Sequence, residues 1–296
     1  MIKKVIQYYY DLYPEHVDRE KGNYTFEINN TLYYFEQQRR SEEELNIINQ
    51  INKNLHLYNW IVPNKFQKLI SNYGNRNYIL IQVIKPIRDL KPEDVLTTVK
   101  LFSNRNNEVL LRTGWSVLWE KKIDNIEYQQ QHIVNRFPLI DQSLGYYIGM
   151  SETAIAYFMA IDKSTIENHV AHIRINVNKN TLDFFNPQNI VIDNRSRDIA
   201  EYLKSLFINN CYNYKDIALF LEKAMANDLE LKLVFCRLNY PSFYFDLYEK
   251  VINQQIDESR LDTVIKRNEE YREFLKNIYY IMNKKTKIKN IEWITK

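Results

Sequence analysis

The chain has 296 residues, enough for two lobes or domains that each bury a hydrophobic core. Hydrophobic residues make up 45% and charged residues 26%, a composition typical of soluble globular proteins. The net charge of +3 indicates no strong polyanionic partner, so we expect no nucleic-acid binding.

Targeting, membrane-spanning and disulfide patterns are all missing from the sequence. The N-terminal segment lacks the long apolar stretch of a signal peptide, and no run approaches the roughly 20 apolar residues of a membrane span. The cysteines, Cys211 and Cys236, are too few for a disulfide framework and lack the CxxC or CxxH spacing of zinc sites. We therefore expect cytoplasmic synthesis without a signal peptide and no membrane partner.

The chain begins with the pattern of a β-hairpin followed by a helix. Residues 24–28 and 32–36 flank Asn29-Asn30, a favourable two-residue hairpin turn. Ser41 with Glu44 three residues later is a capping-box pattern, which predicts the first turn of a helix. Apolar residues then recur on one face of that predicted helix at Leu45, Ile48, Ile51 and Leu55.

A second hairpin and a connector follow. We predict strands over residues 66–70 and 78–83, with a turn around Gly74. The next stretch carries Pro86 and, at the start of a predicted helix, Pro92, so we interpret it as a connector. The predicted first lobe therefore covers residues 1–85 and the second lobe residues 86–296.

Helical spacing dominates the rest of the chain. Apolar periodicity predicts helices over residues 93–103, 115–136, 143–161, 196–209, 214–227, 229–238, 241–254 and 259–283. Two β-like segments, residues 172–177 and 189–193, interrupt the helices. A small β-rich N-lobe, a connector and a larger helical C-lobe form the two-lobe, protein-kinase-like plan of the α+β class.

The phosphate-binding parts of a kinase-like site are missing. A kinase needs a glycine-rich loop and a strand lysine to hold phosphates, but the chain has five glycines, and only Gly22 and Gly74 lie in the first lobe. The second strand of the first hairpin, residues 31–38, contains no lysine. Arg39 and Arg40 follow it, and we interpret them as part of a solvated turn.

The predicted catalytic segment also departs from a kinase. His172-Ile-Arg174 stands where His-Gly-Asp is expected, and a guanidinium cannot accept a proton at neutral pH. No catalytic residue is expected, and we interpret His172 as a buried structural residue. Asp183 is the best candidate for a magnesium ligand and Asp193 the second, although neither has a clear asparagine companion.

Asp198 has a structural interpretation that does not depend on catalysis. An aspartate that opens a helix can accept backbone N–H bonds and fix the preceding loop. Arg195 and Arg197 could pair with Asp193, Asp198 or Glu201.

Four segments, in order, resemble the kinase-like spore-coat proteins of endospore-forming bacilli, the CotS-type group and particularly its YutH-like branch. These are Trp115-Ser-Val-Leu-Trp119, Tyr146-Tyr-Ile-Gly149 with Glu152, His172-Ile-Arg174, and Asp193-Asn-Arg-Ser-Arg197-Asp198. Arg237-Leu-Asn-Tyr-Pro241 is a weaker fifth match. The resemblance implies an aminoglycoside-phosphotransferase-like fold and a role in the spore coat.

Two functions stay open at this point. The first is a catalytically inactive pseudokinase in coat structure or assembly, with other spore-coat proteins as partners and no cofactor. The alternative is an ATP-dependent phosphotransferase of the aminoglycoside or choline kinase-like superfamily. That enzyme would need Mg-ATP, with Asp183 or Asp193 binding the metal. The sequence carries no prediction of oligomeric state.

Overall fold

The computed structural model describes residues 1–20, 22–100, 108–162, 166–224 and 226–295. The described residues form an antiparallel sheet near the N-terminus and mostly helices after it. They group into two compact units. The first unit holds the residues up to Lys91, a short segment that ends at Leu110, and His172–Val191. The second unit holds the other described residues, and the division at residues 85 and 86 stays a prediction.

The first unit is built on one antiparallel sheet. Its elements before residue 91 are α1 (Ile2–Tyr10), β1 (Asp18–Glu20), β2 (Asn23–Ile28), β3 (Thr31–Gln37), α2 (Glu42–Leu55), β4 (Trp60–Val62), β5 (Ile70–Tyr73) and β6 (Arg76–Gln82). The strands lie in the order β1-β2-β3-β6-β4, and β5 also pairs with β6.

The first predicted hairpin is confirmed. Strands β2 and β3 pair with Glu27 opposite Leu32, and the two turn residues have positive φ. Asn29 lies at φ 50° and Asn30 at φ 59°, a left-handed conformation that asparagine tolerates better than most residues. The conformation of this turn therefore sets the register of β2 and β3, whose residues help to line the polar cavity described below.

The second hairpin is shorter than predicted. Strand β5 begins at Ile70, so the predicted strand over residues 66–70 is wrong. The side chain of Asn64 bonds the backbone N–H of Phe66 at 3.0 Å and of Lys68 at 3.1 Å, which bends this stretch into a turn. The predicted turn at Gly74 is confirmed, with φ 61°.

Aromatic packing forms the core of this sheet. Phe35 and Tyr78 stack across β3 and β6 with ring centroids 4.8 Å apart, and Leu80 lies fully buried beside them. Helix α1, which the sequence patterns did not predict, buries Ile6 against this cluster. The predicted capping box of α2 is confirmed, because Ser41 accepts from the N–H of Glu44 and Glu44 accepts in return.

A later segment of the chain completes the first unit. It includes α6 (Thr181–Phe184) and a short 3-10 helix at Pro187–Asn189, between strands β7 (His169–His172) and β8 (Ile190–Asp193). These two strands pair with each other. The predicted strand over residues 172–177 is wrong beyond His172, because Asn176 accepts the backbone N–H of Asn178 and forms a turn.

The second unit is helical. Its helices are α3 (Pro92–Thr98), α4 (Trp115–Ile133), α5 (Pro138–Met159), α7 (Ser196–Ile208), α8 (Tyr214–Lys223), α9 (Asp228–Asn239), α10 (Ser242–Ile252), α11 (Ser259–Ile265), α12 (Asn268–Asn283) and α13 (Glu292–Thr295). The sequence predicted most of them with shifted ends. Residues 101–103 of the predicted helix 93–103, and Met225 of the predicted helix 214–227, lie outside the described residues.

One predicted helix is two helices in the structure. The prediction over residues 259–283 ran through Arg267, which instead lies between α11 and α12. Its guanidinium donates to the carbonyl oxygens of Phe207 at 3.0 Å and Ile208 at 3.1 Å, at the C-terminal end of α7. A cation there satisfies carbonyls that have no partner within the helix. None of the described helices combines the length and apolarity needed to cross a bilayer.

Candidate functional site

The first unit contains a polar cavity beside the β2–β3 hairpin and α6. Its volume is about 880 Å³, within the range of ligand pockets. Charged groups in its wall are Glu20, Glu36, Arg39, Asp89, Lys179 and Asp183. Four carboxylates therefore face two cations, so the cavity carries an excess of negative charge.

Glu36 is the most buried of these charges. It lies near the end of β3, and its side chain is only 6% exposed. Its Oε1 accepts a bond of 2.9 Å from Asn186 Nδ2 and another from Gln188 Nε2, and Arg39 Nη2 lies 3.5 Å away. A carboxylate thus occupies the strand on which protein kinases carry a phosphate-binding lysine.

Arg40 corrects one sequence-based interpretation. It is not part of a solvated turn, because its side chain is only 7% exposed and its guanidinium binds other groups of the protein. It donates to the carbonyl oxygens of Gln188 at 2.9 Å and Ile190 at 2.7 Å, and pairs with Glu44 at 2.8 Å. The Arg40 guanidinium therefore fixes the position of the chain at the start of β8, and it binds protein carbonyl oxygens instead of phosphate.

The side chains of His172 and Arg174 contact other groups of the protein, as expected for residues with a structural role. His172 is fully buried, its ring stacks on Phe184 at 4.2 Å, and its Nε2 lies 3.3 Å from the hydroxyl of Tyr58. Arg174 is exposed, and its Nη1 donates to the neighbouring carbonyl oxygen of Ile173 at 3.0 Å.

Asp183 lies in the short helix α6 at the wall of the cavity. Its side chain is 41% exposed, and its Oδ1 lies 4.0 Å from the ammonium of Lys179. Asn189 donates to the backbone carbonyl of Asp183 at 2.7 Å, so that oxygen already has a partner. Among the described residues, no group of three or more His, Cys, Asp or Glu side chains is arranged to hold a metal ion. Asp183 as a magnesium ligand stays a prediction.

Asp193 lies in the second unit, where it is fully buried. Its Oδ1 accepts from Trp115 Nε1 at 2.8 Å and from the backbone N–H of Asn194 at 2.7 Å. Its Oδ2 accepts from Arg197 Nη1 at 2.9 Å and from Arg237 Nη2. Since an ionised carboxylate offers about four lone-pair sites, donors from the protein use all of them. A metal at Asp193 would have to displace one of these donors.

Arg237 is held at this site by aromatic as well as ionic contacts. Its guanidinium carbon lies 3.5 Å from the centroid of the Trp115 ring, a close cation–π contact. Burial lowers the pKa of Arg237 to about 10, and the neighbouring Asp193 carboxylate offsets part of that effect. The guanidinium is therefore still charged at neutral pH. The sequence patterns did not indicate this partner, although Arg237 lies in one of the resembling segments.

Charged residues near Asp193 in the sequence also have partners within the protein. Arg197 pairs with Asp193 as predicted, whereas Arg195 Nε binds Glu230 at 2.5 Å, a partner the sequence did not indicate. Asp198 is buried in the first turn of α7, with Thr98 Oγ1 3.4 Å from its Oδ2. The predicted role of Asp198 in fixing the preceding loop stays a prediction.

The structure resembles solved phosphotransferases over most of its length. An aminoglycoside phosphotransferase from Alicyclobacillus acidocaldarius is 11% identical, with a TM-score of 0.68 and coverage of 93% of this chain and 94% of that one. An AMP-bound spectinomycin phosphotransferase is 12% identical, with a TM-score of 0.65 and coverage of 95% and 96%. The choline kinase LicA from Streptococcus pneumoniae is 12% identical, with a TM-score of 0.54 and coverage of 93% and 97%. These likenesses confirm the predicted fold class and do not extend to activity.

Sequence comparison assigns the family. The endospore coat-associated protein YutH of Bacillus subtilis is 27% identical over 219 residues, which cover 62% of this chain and 61% of that protein. The match thus spans less than two thirds of the relative. A family model matches residues 3–278, nearly the whole chain. The chain therefore belongs to the family described as "Spore coat putative kinase YutH".

Proposed function

We propose that this protein is a non-catalytic member of its family that acts in the structure or assembly of the endospore coat. The observation that carries the proposal is the Asp193 carboxylate, whose oxygens are all used by donors from the protein. A kinase needs an aspartate that is free to hold magnesium. The coat role itself rests on the family and on the printed description of the Bacillus subtilis relative.

Charge in the first unit supports the same proposal. The polar cavity has two more carboxylates than cations, and the buried Glu36 lies on β3. A nucleoside triphosphate is strongly negative. In this cavity the carboxylates would repel its phosphates, whereas a kinase has a lysine that binds them. This distribution of charge argues against Mg-ATP as a cofactor and supports a non-catalytic role.

The alternative is an ATP-dependent phosphotransferase. One observation favours it: the cavity is large enough for a nucleotide, and the half-exposed Asp183 lies in its wall. Such an enzyme would need Asp183 to bind magnesium, although no group of three or more His, Cys, Asp or Glu side chains among the described residues is arranged to hold a metal ion.

Nucleotide binding and transfer separate the two functions. We expect no change in thermal unfolding with Mg-ATP, whereas a ligand at 100 times its Kd would stabilise the fold by about 2.7 kcal/mol. We also expect no transfer of labelled γ-phosphate to the protein or to added amino-alcohol acceptors. Magnesium-dependent transfer that is lost in Asp183→Asn but kept in Asp124→Asn, an exposed residue of α4, would establish the alternative.

The coat role is tested in sporulating cells. A fluorescent fusion of this protein, expressed in Bacillus subtilis, should collect around the forespore, and Asp183→Asn should leave that pattern unchanged. Uniform fluorescence in the mother cell, from a fusion shown to be folded, would contradict the role in the coat.

A further inference from the structure

Among the described residues, none donates a hydrogen bond to one of the two carboxylate oxygens of Glu36. The three donors that reach this carboxylate, from Arg39, Asn186 and Gln188, all reach Oε1. No hydrogen bond from the described residues reaches Oε2. This atom is also not among the unpartnered oxygens that the fold encloses, while Glu36 itself lines the polar cavity. Glu36 Oε2 therefore opens into the cavity with its lone pairs unused by the described residues, and a carboxylate oxygen in that position can accept hydrogen bonds from a ligand.

The charges in the cavity wall indicate the sign of the charge on a ligand. Arg39 lies against Glu36, and Lys179 lies 4.0 Å from Asp183, so each wall cation is already beside a carboxylate. The other two wall carboxylates, Glu20 and Asp89, have no ion pair with a cation among the described residues. The unbalanced charge of the described wall residues is therefore negative, and a negative charge attracts a cation.

The wall favours an organic cation over a bare metal ion. The described residues contain no group of three or more metal-binding side chains, and calcium and magnesium need more oxygen ligands than one carboxylate supplies. A primary ammonium group, in contrast, needs about three acceptors. Glu36 Oε2 and amide oxygens of wall residues can supply them. The amide oxygens of Asn23, Gln37 and Asn186 each accept one bond from the protein, so each keeps a second lone pair.

We propose that this cavity binds the primary ammonium group of an organic cation, with Glu36 Oε2 as the charged acceptor in the cavity wall. The charge is opposite to that of the nucleotide which the fold accommodates in its catalytic relatives. The site goes beyond the proposed coat role and does not depend on it. The ammonium group has two sources, a free polyamine and the lysine side chain of a basic peptide, and the experiment separates them.

Calorimetric titration tests the site with two probes, spermidine and an acetylated, amidated Gly-Lys-Gly-Lys-Gly peptide. We expect at least one probe to bind with one site per chain, and binding to weaken as salt rises. Preference for spermidine would indicate a free polyamine, and preference for the peptide would indicate a protein side chain. Glu36→Gln should weaken binding at least 10-fold, because a charge-assisted hydrogen bond becomes a neutral one.

The matched control is Glu27→Gln, an exposed residue of the neighbouring strand β2 that does not line the cavity. It makes the same change of charge and should leave the Kd within about two-fold, as expected for a distant surface charge. If Glu36→Gln does not fold, Asp89→Asn and Glu20→Gln take its place, since both residues are exposed. Each should weaken binding several-fold, and together they should weaken it further.

Two results would overturn the site. One is the absence of binding by both probes at low salt, seen as no heat at two temperatures and no rise in the melting temperature. The other is equal weakening by the cavity variants and Glu27→Gln, which would indicate general electrostatic attraction only. Phosphoryl transfer from ATP would instead refute the proposed coat role as a non-catalytic protein, so the two failures are distinguishable.

Discussion

Replacing Asp193 by asparagine should destabilise the second unit more than most single substitutions. The change keeps the shape of the side chain but removes the negative charge that faces Arg197 and Arg237. These guanidiniums are 11% and 6% exposed, so both would lose the negative charge of a buried ion-pair partner. Breaking a buried ion pair in this way costs about 3–5 kcal/mol. At roughly 2–4 °C per kcal/mol for a unit of this size, the melting temperature should fall by about 6–20 °C.

Urea unfolding followed by tryptophan fluorescence provides the assay, because Trp115 donates to Asp193 and stacks with Phe158. The matched control is Asp124→Asn on the exposed face of α4, which should change the free energy of unfolding by less than about 0.5 kcal/mol. A loss below about 1 kcal/mol for Asp193→Asn would refute the argument. Stabilisation of the wild type by magnesium that Asp193→Asn abolishes would also refute it, since it would place a metal at this carboxylate.

Three further predictions concern capping and pH. Ser41→Ala should cost about 1 kcal/mol in urea unfolding, because it removes the capping bond to the N–H of Glu44; an unchanged midpoint would contradict this role. Burial raises the pKa of Tyr10 and of Tyr202 to about 12, above the unfolded value of about 10, so the stability they contribute should be complete below pH 10 and lost as pH rises through 12. Tyrosinate absorbance should then lag behind that of the denatured chain, and coincident titrations would refute the prediction. Burial lowers the pKa of His169 from 6.5, so the free energy of unfolding should decrease as pH falls below 6.5, and His169→Gln should make that decrease smaller; an unchanged slope would contradict the prediction.

Elements defined by nearby residues were predicted well. The β2–β3 hairpin follows from Asn29-Asn30, and the first turn of α2 follows from Ser41 and Glu44, because in each case interacting groups are at most a few residues apart. Predictions failed where a side chain made a less obvious local turn, as Asn64 does before β5, or a distant contact, as Arg267 does between α11 and α12.

The sequence also predicted some features of the candidate site and not others. Sequence alone indicated that a lysine was missing from the second hairpin strand and that Arg174 stood in place of a catalytic base. It did not indicate that Arg40 is buried against backbone carbonyls, nor that the described donors to Glu36 all reach the same oxygen. Those facts depend on which segments pack together.

The sequence by itself determined which chemical groups exist, the turn and cap residues, and the helical periodicity of the second unit. Only the tertiary structure decided what those groups do. Trp115 and Arg237, which are 78 and 44 residues from Asp193, use oxygens that a magnesium ion would need, and Asn186 reaches Glu36 across 150 residues. The reason is physical: the chemistry of a buried carboxylate depends on the donors that packing brings to it, and no local pattern encodes them.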